Sequence, residues 1–254
     1  MDRLAFNASA FINEGRVARQ MTMNELSNVS TPGFKRSFEG SMRTVKAEGS
    51  GFESRMQPQS FNTDYIKMTP GTKMLTGRDL DVAMNDQAVL GVTAGDGTLA
   101  FTRRGDLHMN SKGVLETGTG AIVRGQSGGP ITVPPGFRVV INEDGTVYAS
   151  NPAQAGVAAP VLIDRLMLRD ANGTSLERRE DGLYQVAGKD PGADIPAGTG
   201  LLTVTPKTLE GSNVNVMEVM IKLMDQSRSF EQAINVIKQA KDADESGGTM
   251  MKPT

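Results

Sequence analysis

The chain has 254 residues, of which 38% are hydrophobic and 5% aromatic, with a formal net charge of -2 and no cysteine. This composition allows one large domain or two ordinary ones, disfavours nucleic-acid binding, and excludes disulfides, thiolate metal sites and cysteine nucleophiles. No apolar run is long enough to span a membrane, and the start of the chain lacks the apolar core of a cleaved secretory signal. If the protein leaves the cytoplasm, we expect it to use another route.

The chain begins with a predicted amphipathic helix that ends near Ser27. Thr31-Pro32-Gly33 stops it, because proline disfavours the helical region for the preceding residue and glycine admits a positive φ. Small residues in its apolar seam leave room for another helix to approach closely. The seam steps by four and three residues through Leu4, Ala8, Phe11, Gly15 and Ala18.

The middle of the chain contains two stretches with different residue patterns. Residues 35–73 are polar with scattered aromatics and no sustained period, which predicts an extended connector. Residues 74–200 contain short apolar runs separated by turn signals such as Glu143-Asp144-Gly145, which predict an antiparallel β domain or partly closed barrel. The predicted strands are 80–84, 89–93, 99–103, 107–109, 114–116, 121–123, 131–133, 139–141, 146–148, 161–168 and 183–186. A return strand within 201–206 then leads to the last helix.

The last helix, from 213 to about 242, has the strongest pattern in the sequence. Asn215 with Glu218 resembles a capping box at its start. Its seam has the spacing of a heptad, and Val219, Met224, Ala233, Val236 and Ala240 widen it. Such a helix either packs on its own domain or is built to lie against other helices. The seam residues are Val216, Met220, Leu223, Ser227, Phe230, Ile234 and Ile237.

These patterns together predict an α+β fold. We expect the N- and C-terminal helices to pair as a coiled-coil-like bundle around the central antiparallel β domain. The predicted divisions are an assembly helix within 1–34, the connector at 35–73, the β domain at 74–200, and the return strand with the second assembly helix at 201–254.

No catalytic, metal or cofactor site stands out. His108 is the only histidine and is expected to be structural, which leaves no histidine cluster for a metal. Asp79 and Asp81 could be imagined as paired carboxylates, but they are expected to be turn and surface residues. Gly118-Thr119-Gly120 is not followed by a helix that could hold a phosphate. An enzyme is therefore the weakest interpretation, with a carbohydrate- or wall-binding β module as the alternative to a structural protein.

Both ends of the chain carry a family resemblance. Asn24, Leu26, Asn28 and the run Thr31-Pro32-Gly33-Phe34-Lys35 resemble the N-terminal signature of the flagellar basal-body rod and hook family, with Ser27 where alanine is usual. The run from Leu209 to Asn215, followed by Arg228-Ser229-Phe230-Glu231, resembles its C-terminal signature. Motifs such as Phe101-Thr102-Arg103-Arg104-Gly105 resemble the middle β domain. The start and length are similar to the proximal rod proteins of that family, with the distal rod proteins second.

The resemblance implies a structural, non-enzymatic role without cofactor or metal. Members stack helically, with copies of themselves and neighbouring rod proteins, into the hollow drive shaft between motor and hook that motility requires. They are exported through the flagellar type III apparatus without a cleaved signal, which would place this chain in the periplasmic rod of the basal body. The expected assembly residues are Leu4, Ala8, Phe11, Gly15, Ala18, Asn24, Leu26, Asn28, Thr31, Gly33, Phe34, Leu209, Glu210, Ser212, Asn213, Val216, Met220, Leu223, Phe230, Ile234 and Ile237.

Overall fold

The computed structural model describes residues 2–38, 42–46, 49, 56–60, 65–152, 159–196 and 200–250, with the backbone alone described at 2–5, 42–44, 56–60 and 249. The chain divides into two compact units. The helical unit comprises Met1–Ser27, Glu39–Thr63 and Asn215–Thr254, and the β unit comprises Asn28–Phe38 and Asp64–Val214. Each unit is therefore built from stretches that lie far apart in the sequence.

The helical unit contains the two predicted helices and one hairpin. Helix α1 is Asp2–Ser27 and helix α2 is Val216–Met250. The hairpin strands β1 (Met42–Lys46) and β2 (Met56–Ser60) pair antiparallel within the predicted connector. Helix α2 extends beyond the predicted end near 242, because no proline interrupts its backbone hydrogen bonds before position 253.

The start of α2 shows the Asn215 half of the predicted capping box, and the helix begins at Val216 instead of 213. The side-chain oxygen of Asn215 accepts hydrogen bonds from the backbone N–H of Met217 at 3.0 Å and of Glu218 at 3.4 Å. These donors have no partner inside the helix, so an N-cap residue stabilises the first turn by roughly 1 kcal/mol. Asn215, the residue just before α2, therefore determines where the helix begins.

The two helices pack against each other, and α1 also contacts β2. On α2 the buried side chains are Val219, Ala233 and Ala240. Gln226 continues this spacing and donates a hydrogen bond to the hydroxyl of Thr22 on α1 at 3.1 Å. The buried series therefore lies on the side of α2 that meets α1.

The β unit holds fifteen strands among the described residues. In chain order they are β3 (Lys73–Leu75), β4 (Val82–Met84), β5 (Ala88–Thr93), β6 (Leu99–Thr102), β7 (Leu107–Met109), β8 (Leu115–Thr117), β9 (Ile122–Val123), β10 (Arg138–Ile141), β11 (Thr146–Ser150), β12 (Val161–Arg165), β13 (Leu168–Asp170), β14 (Leu176–Arg178), β15 (Tyr184–Val186), β16 (Val204–Pro206) and β17 (Thr208–Glu210).

These strands form one large sheet and three smaller ones, and every described pair is antiparallel. The large sheet has the order β14-β15-β6-β5-β9-β8-β7, with β13 also pairing with β5. The order β10-β11-β12 makes a three-stranded sheet, while β16 pairs with β4 and β17 with β3. The predicted α+β class with an antiparallel β domain is thus confirmed.

Strand β5 lies between two hydrophobic cores. Ala88, Leu90 and Val92 point into the larger core, and Val89 points into a smaller one with Phe101. A strand covered on both faces is continuously apolar rather than alternating, and all of Ala88 to Val92 is buried. The run from Ala88 to Val92 is therefore packed on both faces.

The predicted strands are mostly observed, but β3, β17 and the hairpin strands β1 and β2 were not predicted, and three further differences appear. Residues 131–133 form only an isolated bridge, between Thr132 and Val114, instead of a strand. The predicted run 161–168 is two strands, β12 and β13, with different partners. Strand β14 was missed because Leu176 is its only apolar residue. Sequence alternation identifies strands well where one face is apolar and poorly where it is not.

Candidate assembly site

Helix α2 carries an apolar face that its own chain leaves exposed. We define the exposed stripe as Met217, Met220, Ile221 and Met224, which fall on one side of the helix at i, i+3, i+4 and i+7. Between 47% and 67% of each residue is accessible. Scattered exposed apolar residues are ordinary, but a continuous exposed stripe marks an interaction surface.

The chain itself covers only part of the seam predicted on α2. Phe230 is 44% exposed and Met220 belongs to the exposed stripe. The buried residues Val219, Ala233 and Ala240 come from the set that was expected only to widen the seam. The apolar face is wider than one neighbouring helix covers, so heptad spacing could not tell which edge meets α1. The remaining seam residues are half-buried: Val216, Leu223, Ser227, Ile234 and Ile237.

The seam predicted on α1 is similarly half-covered. Ala8, Ala18 and Leu26 are half-buried, while Phe11 is exposed, and Leu4 lies in α1 with its side chain outside the described residues. Gly15 has no described atom within 4 Å of the position that a Cβ would take. Asn24, from the N-terminal signature, is exposed on the same helix. The space that Gly15 leaves for another helix is therefore unoccupied among the described residues.

The remaining predicted residues lie in the β unit, where they meet one another. Gly33 donates its backbone N–H to the carbonyl of Glu210 at 2.7 Å, and Asn213 donates its own to the carbonyl of Phe34 at 3.3 Å. The side chain of Asn213 accepts from the backbone N–H of Arg36 and donates to the carbonyl of Lys67. The N-terminal and C-terminal signature segments thus run side by side.

A buried cluster of three charged side chains holds these segments. We define the charge cluster as Lys35, Arg103 and Glu210. The Lys35 ammonium lies 2.6 Å from Glu210 Oε1, and the Arg103 guanidinium lies 2.6 Å from Oε2. The accessible fraction of each side chain is 1% or less. Two cations share one carboxylate in a water-excluded site.

The backbone completes the hydrogen bonding of the charge cluster. Arg103 also donates to the carbonyls of Met84, Asp86 and Ala88, and Lys35 donates to the carbonyl of Thr69 at 2.8 Å. The N–H of Gly71 donates to Glu210 Oε1 at 2.9 Å. Buried charges are tolerated only with such complete pairing.

Burial and ion pairing act in opposite directions on the charge cluster. Burial favours the neutral form of Glu210, but Arg103 and Lys35 outweigh it and lower the pKa of this carboxyl below its usual value. Burial lowers the pKa of Lys35, and its pairing with Glu210 offsets only part of that effect. Nearby, burial raises the pKa of Tyr184 to about 12, and its hydroxyl donates to the carbonyl of Gly33 at 3.1 Å.

Close packing explains the signature glycine. Gly33 has φ +70°, and a Cβ built there would lie 2.4 Å from the carbonyl carbon of Arg103. Only glycine combines this left-handed conformation with such close approach to a neighbouring backbone. Beside it, the guanidinium of Arg178 stacks over the ring of Phe34 at 4.3 Å from the centroid. Both residues therefore serve contacts inside the chain.

Four further signature residues shape the chain around these contacts. Thr31 donates to Asn28 from both its backbone and its hydroxyl, which forms the turn after α1. Leu209 pairs with Met74 in the ladder between β17 and β3. The Ser212 hydroxyl accepts the N–H of Val214 just before α2.

The sequence did not show that Lys35 and Arg103 pair with Glu210 in the charge cluster. Lys35 and Arg103 appear within recognised motifs, but no role followed from the motifs alone. Lys35 and Glu210 are 175 positions apart, so no local spacing links them. The buried Lys-Glu-Arg arrangement is visible only in the fold.

The weaker candidate sites contain no catalytic arrangement among the described residues. His108 lies on β7, has 46% of its side chain accessible, and is 3.8 Å from Glu116. Asp79 is paired with Arg138 and Lys207. Asp81 is buried and accepts from the Thr76 hydroxyl, so its predicted place on the surface is wrong.

A groove of about 310 Å³ lies on the three-stranded sheet. Among the described residues that line it, Tyr148 alone is ionisable: Val140, Asn142, Tyr148, Ser150 and Pro160. The described part of the chain holds no group of three histidine, cysteine or acidic residues that could bind a metal. None of its helices is long and apolar enough to cross a membrane.

Two family models match the chain. The model for the flagellar basal body rod FlgEFG protein C-terminal matches residues 205–250, which include β17 and α2. The model for the flagellar hook protein FlgE/F/G D1 domain matches residues 83–149 within the β unit. These models describe structural flagellar proteins and not an enzyme family.

Proteins that are similar over most of their length carry consistent names. The chain is 34% identical to the flagellar basal-body rod protein FlgF of Escherichia coli over 95% of each chain, and 34% identical to that of Salmonella typhimurium over 93% of each. It is 29% identical to the flagellar basal-body rod protein FlgG of Bacillus subtilis, over 84% of this chain and 86% of the relative. The chain therefore belongs to the flagellar basal-body rod protein family, as its terminal signatures predicted, and resembles FlgF more than FlgG.

Proposed function

We propose that this chain is a structural subunit of the bacterial flagellar rod that assembles helically with its own copies and neighbouring rod proteins. The observation that carries the proposal is the exposed stripe on α2, in a chain whose family consists of rod proteins. A stripe with this spacing suits a neighbouring amphipathic helix. Coiled-coil-like packing of the terminal helices, with the predicted seam residues in contact between subunits, is part of the proposal.

The energy of one such contact is small. Full burial of a large apolar side chain stabilises by about 1.5–3 kcal/mol, so completing the burial of four half-exposed residues supplies roughly 3–6 kcal/mol. A binding free energy near 4 kcal/mol corresponds to a dissociation constant of about 1 mM. The stripe therefore suits an assembly in which each subunit has several neighbours and does not by itself support a stable dimer.

The finer expectations extend this proposal. The rod would be the hollow, periplasmic drive shaft between motor and hook, and loss of the subunit would abolish motility. Export through the flagellar type III apparatus, without a cleaved signal, is part of the proposal, and the absence of cysteine from the sequence agrees with it.

Complementation of a strain that lacks its own copy of the gene tests the proposal. We expect Ile221→Glu, within the exposed stripe, to abolish motility and rod assembly. The matched control is Gln232→Glu, which adds the same charge at another exposed position of α2 and should leave motility intact. Normal rods with Ile221→Glu, or purified chain that binds peptidoglycan and joins no rod intermediate, would contradict the proposal.

A further inference from the structure

The two helices of the helical unit run in opposite directions. Gln226 on α2 is bonded to Thr22 on α1, and the buried Ala240 lies about 21 Å further along α2, at 1.5 Å per residue. Among the described elements, α1 is the main neighbour of α2, but α1 ends at Ser27, only about 8 Å beyond Thr22. Only the part of α1 that precedes Thr22 is long enough to cover Ala240, so the helices are antiparallel.

One flank of this antiparallel pair is an apolar groove. Each residue turns about 100° around the helix axis, so positions three before and four after a facing residue lie on the same flank. Because the helices run in opposite directions, equal steps from Thr22 and Gln226 reach the same flank of the pair. Met23 and Phe230 on this flank are 45% and 44% exposed, and the other two members are half-buried. We define the helix groove as Met23 and Leu26 on α1, with Leu223 and Phe230 on α2.

The exposed stripe lies on a different side of α2. Met224 and Ile221 are two and five positions before Gln226, which places them about 140–160° around the helix from it. The exposed stripe is therefore a ridge on the outer side of α2, whereas the helix groove is a recess between α1 and α2. An apolar helical ridge fits an apolar recess between two helices, and flexible methionines adapt to its shape.

The charges beside these two surfaces are complementary. Arg19, three positions before Thr22, is exposed on the flank that carries the helix groove. Glu218 and Asp225 are exposed along one border of the exposed stripe. A cation beside the recess and carboxylates beside the ridge favour docking of one surface on the other. An antiparallel contact between two stripes would instead bring the carboxylates of both copies together, which is unfavourable.

We propose that the exposed stripe of one copy of this chain docks into the helix groove of the next copy. This inference rests on the proposed function and deepens it by naming the two surfaces and the partner. Because the two surfaces differ, each copy presents its stripe to one neighbour and its groove to another. Head-to-tail contacts of this kind build helical filaments when they do not close into a ring. A contact between two stripes would end in a pair.

Cross-linking between chains that carry one cysteine each tests the proposal. The chain has no cysteine of its own, so Ile221→Cys marks the exposed stripe and Met23→Cys marks the helix groove. The two purified full-length chains are mixed at about 1 mM, where a contact with a millimolar dissociation constant is about half occupied. The helix groove exists only where α1 and α2 pair, and at this concentration docking supplies packing that the helices lack in dilute solution. A short bis-maleimide then traps neighbouring thiols.

We expect cross-linked dimers from this mixture and few from either chain alone. The matched control mixes Ile221→Cys with Gln20→Cys, because Gln20 is exposed on the side of α1 that faces away from α2. A docked pair holds its two thiols close together, so the first mixture should yield at least about tenfold more dimer than the control.

Charge reversal tests the orientation of the docked pair. Arg19→Glu in the chain with the groove cysteine should lower the dimer yield about threefold, as expected for an exposed ion pair. Asp225→Arg in the chain with the stripe cysteine should have a similar effect alone. The two reversed chains together should recover the original yield, because the pair is again of opposite charge.

The outcomes are distinct for the two proposals. Abundant dimers from Ile221→Cys alone, equal yields from the two mixtures, or no recovery in the doubly reversed pair would overturn the docking. Because cross-linking uses purified chain, the expected dimers support the docking even if the unmodified chain fails to complement motility. That failure would count against the proposed function alone, whereas complementation without the expected dimers would count against the docking alone.

Discussion

We expect removal of the Glu210 carboxylate from the charge cluster to destabilise the protein much more than removal of the Lys35 ammonium. Glu210→Gln preserves side-chain shape but leaves Lys35 and Arg103 buried without an anion. Removing one partner of a buried ion pair costs about 3–5 kcal/mol. Lys35→Met keeps Glu210 paired with Arg103 and removes the surplus cation. It loses the hydrogen bonds of the ammonium to Glu210 and to the carbonyl of Thr69, but it also removes the cost of burying that charge, so we expect a net loss of about 1 kcal/mol.

Urea unfolding of the full chain measures this asymmetry. The protein has three tyrosines and no tryptophan, so near-ultraviolet circular dichroism follows the environment of buried tyrosines such as Tyr184. We expect the midpoint to fall much further for Glu210→Gln than for Lys35→Met, with unchanged dependence on urea. Equal destabilisation by the two variants, or a cost below about 1 kcal/mol for Glu210→Gln, would refute the reasoning from buried charge.

Three other predictions follow from burial and exposure. Because burial raises the pKa of Tyr184 to about 12, the folded state holds the phenol proton longer than the unfolded state. The free energy of unfolding should then be unaffected below about pH 10 and fall by about 2–3 kcal/mol by pH 12. Tyr184→Phe should remove this decrease. A pH profile that Tyr184→Phe leaves unaltered would show that Tyr184 does not cause the decrease. Phe230→Ala should block motility but leave the unfolding of the β unit in the lone chain unchanged, because Phe230 lies on α2. His108→Ala should change neither; an essential His108 would favour a site-based function. In dilute monomer, the amides of α1 and α2 should exchange within seconds while those of β5 stay protected, because helices outside full tertiary packing are marginal in water; strong protection of both helices would show that they are stable without neighbours.

The local features of the fold could be predicted because local physics determines them. Asn215 caps α2 with its own side chain, and Asp-Gly turns such as Asp144-Gly145 separate strands whose apolar residues alternate. The end of α2 was placed too early because charge and polarity do not stop a helix in the way that proline does. Strand β14 was missed because one apolar residue gives no alternation.

The candidate site was predictable only in outline. The two signatures identified the segments around Gly33 and Glu210, but periodicity cannot show that these segments meet inside the β unit. The contact depends on a left-handed glycine against the backbone of Arg103 and on an ion pair across 175 positions. Similarly, heptad spacing on α2 identified a broad apolar face without separating the buried Val219 from the exposed Met220.

The exposed stripe also determines how the surface would respond to oxidants. Three of its four residues are methionines, and each has at least 47% of its surface accessible. Oxidation of a thioether to the sulfoxide converts a flexible apolar side chain into a polar one. With no cysteine in the chain to react first, these methionines are the readily oxidised groups on the face proposed for assembly. Subunits exposed to peroxide before assembly would present a more polar face to their neighbours, whereas burial in the finished rod would shield the same sulfur atoms.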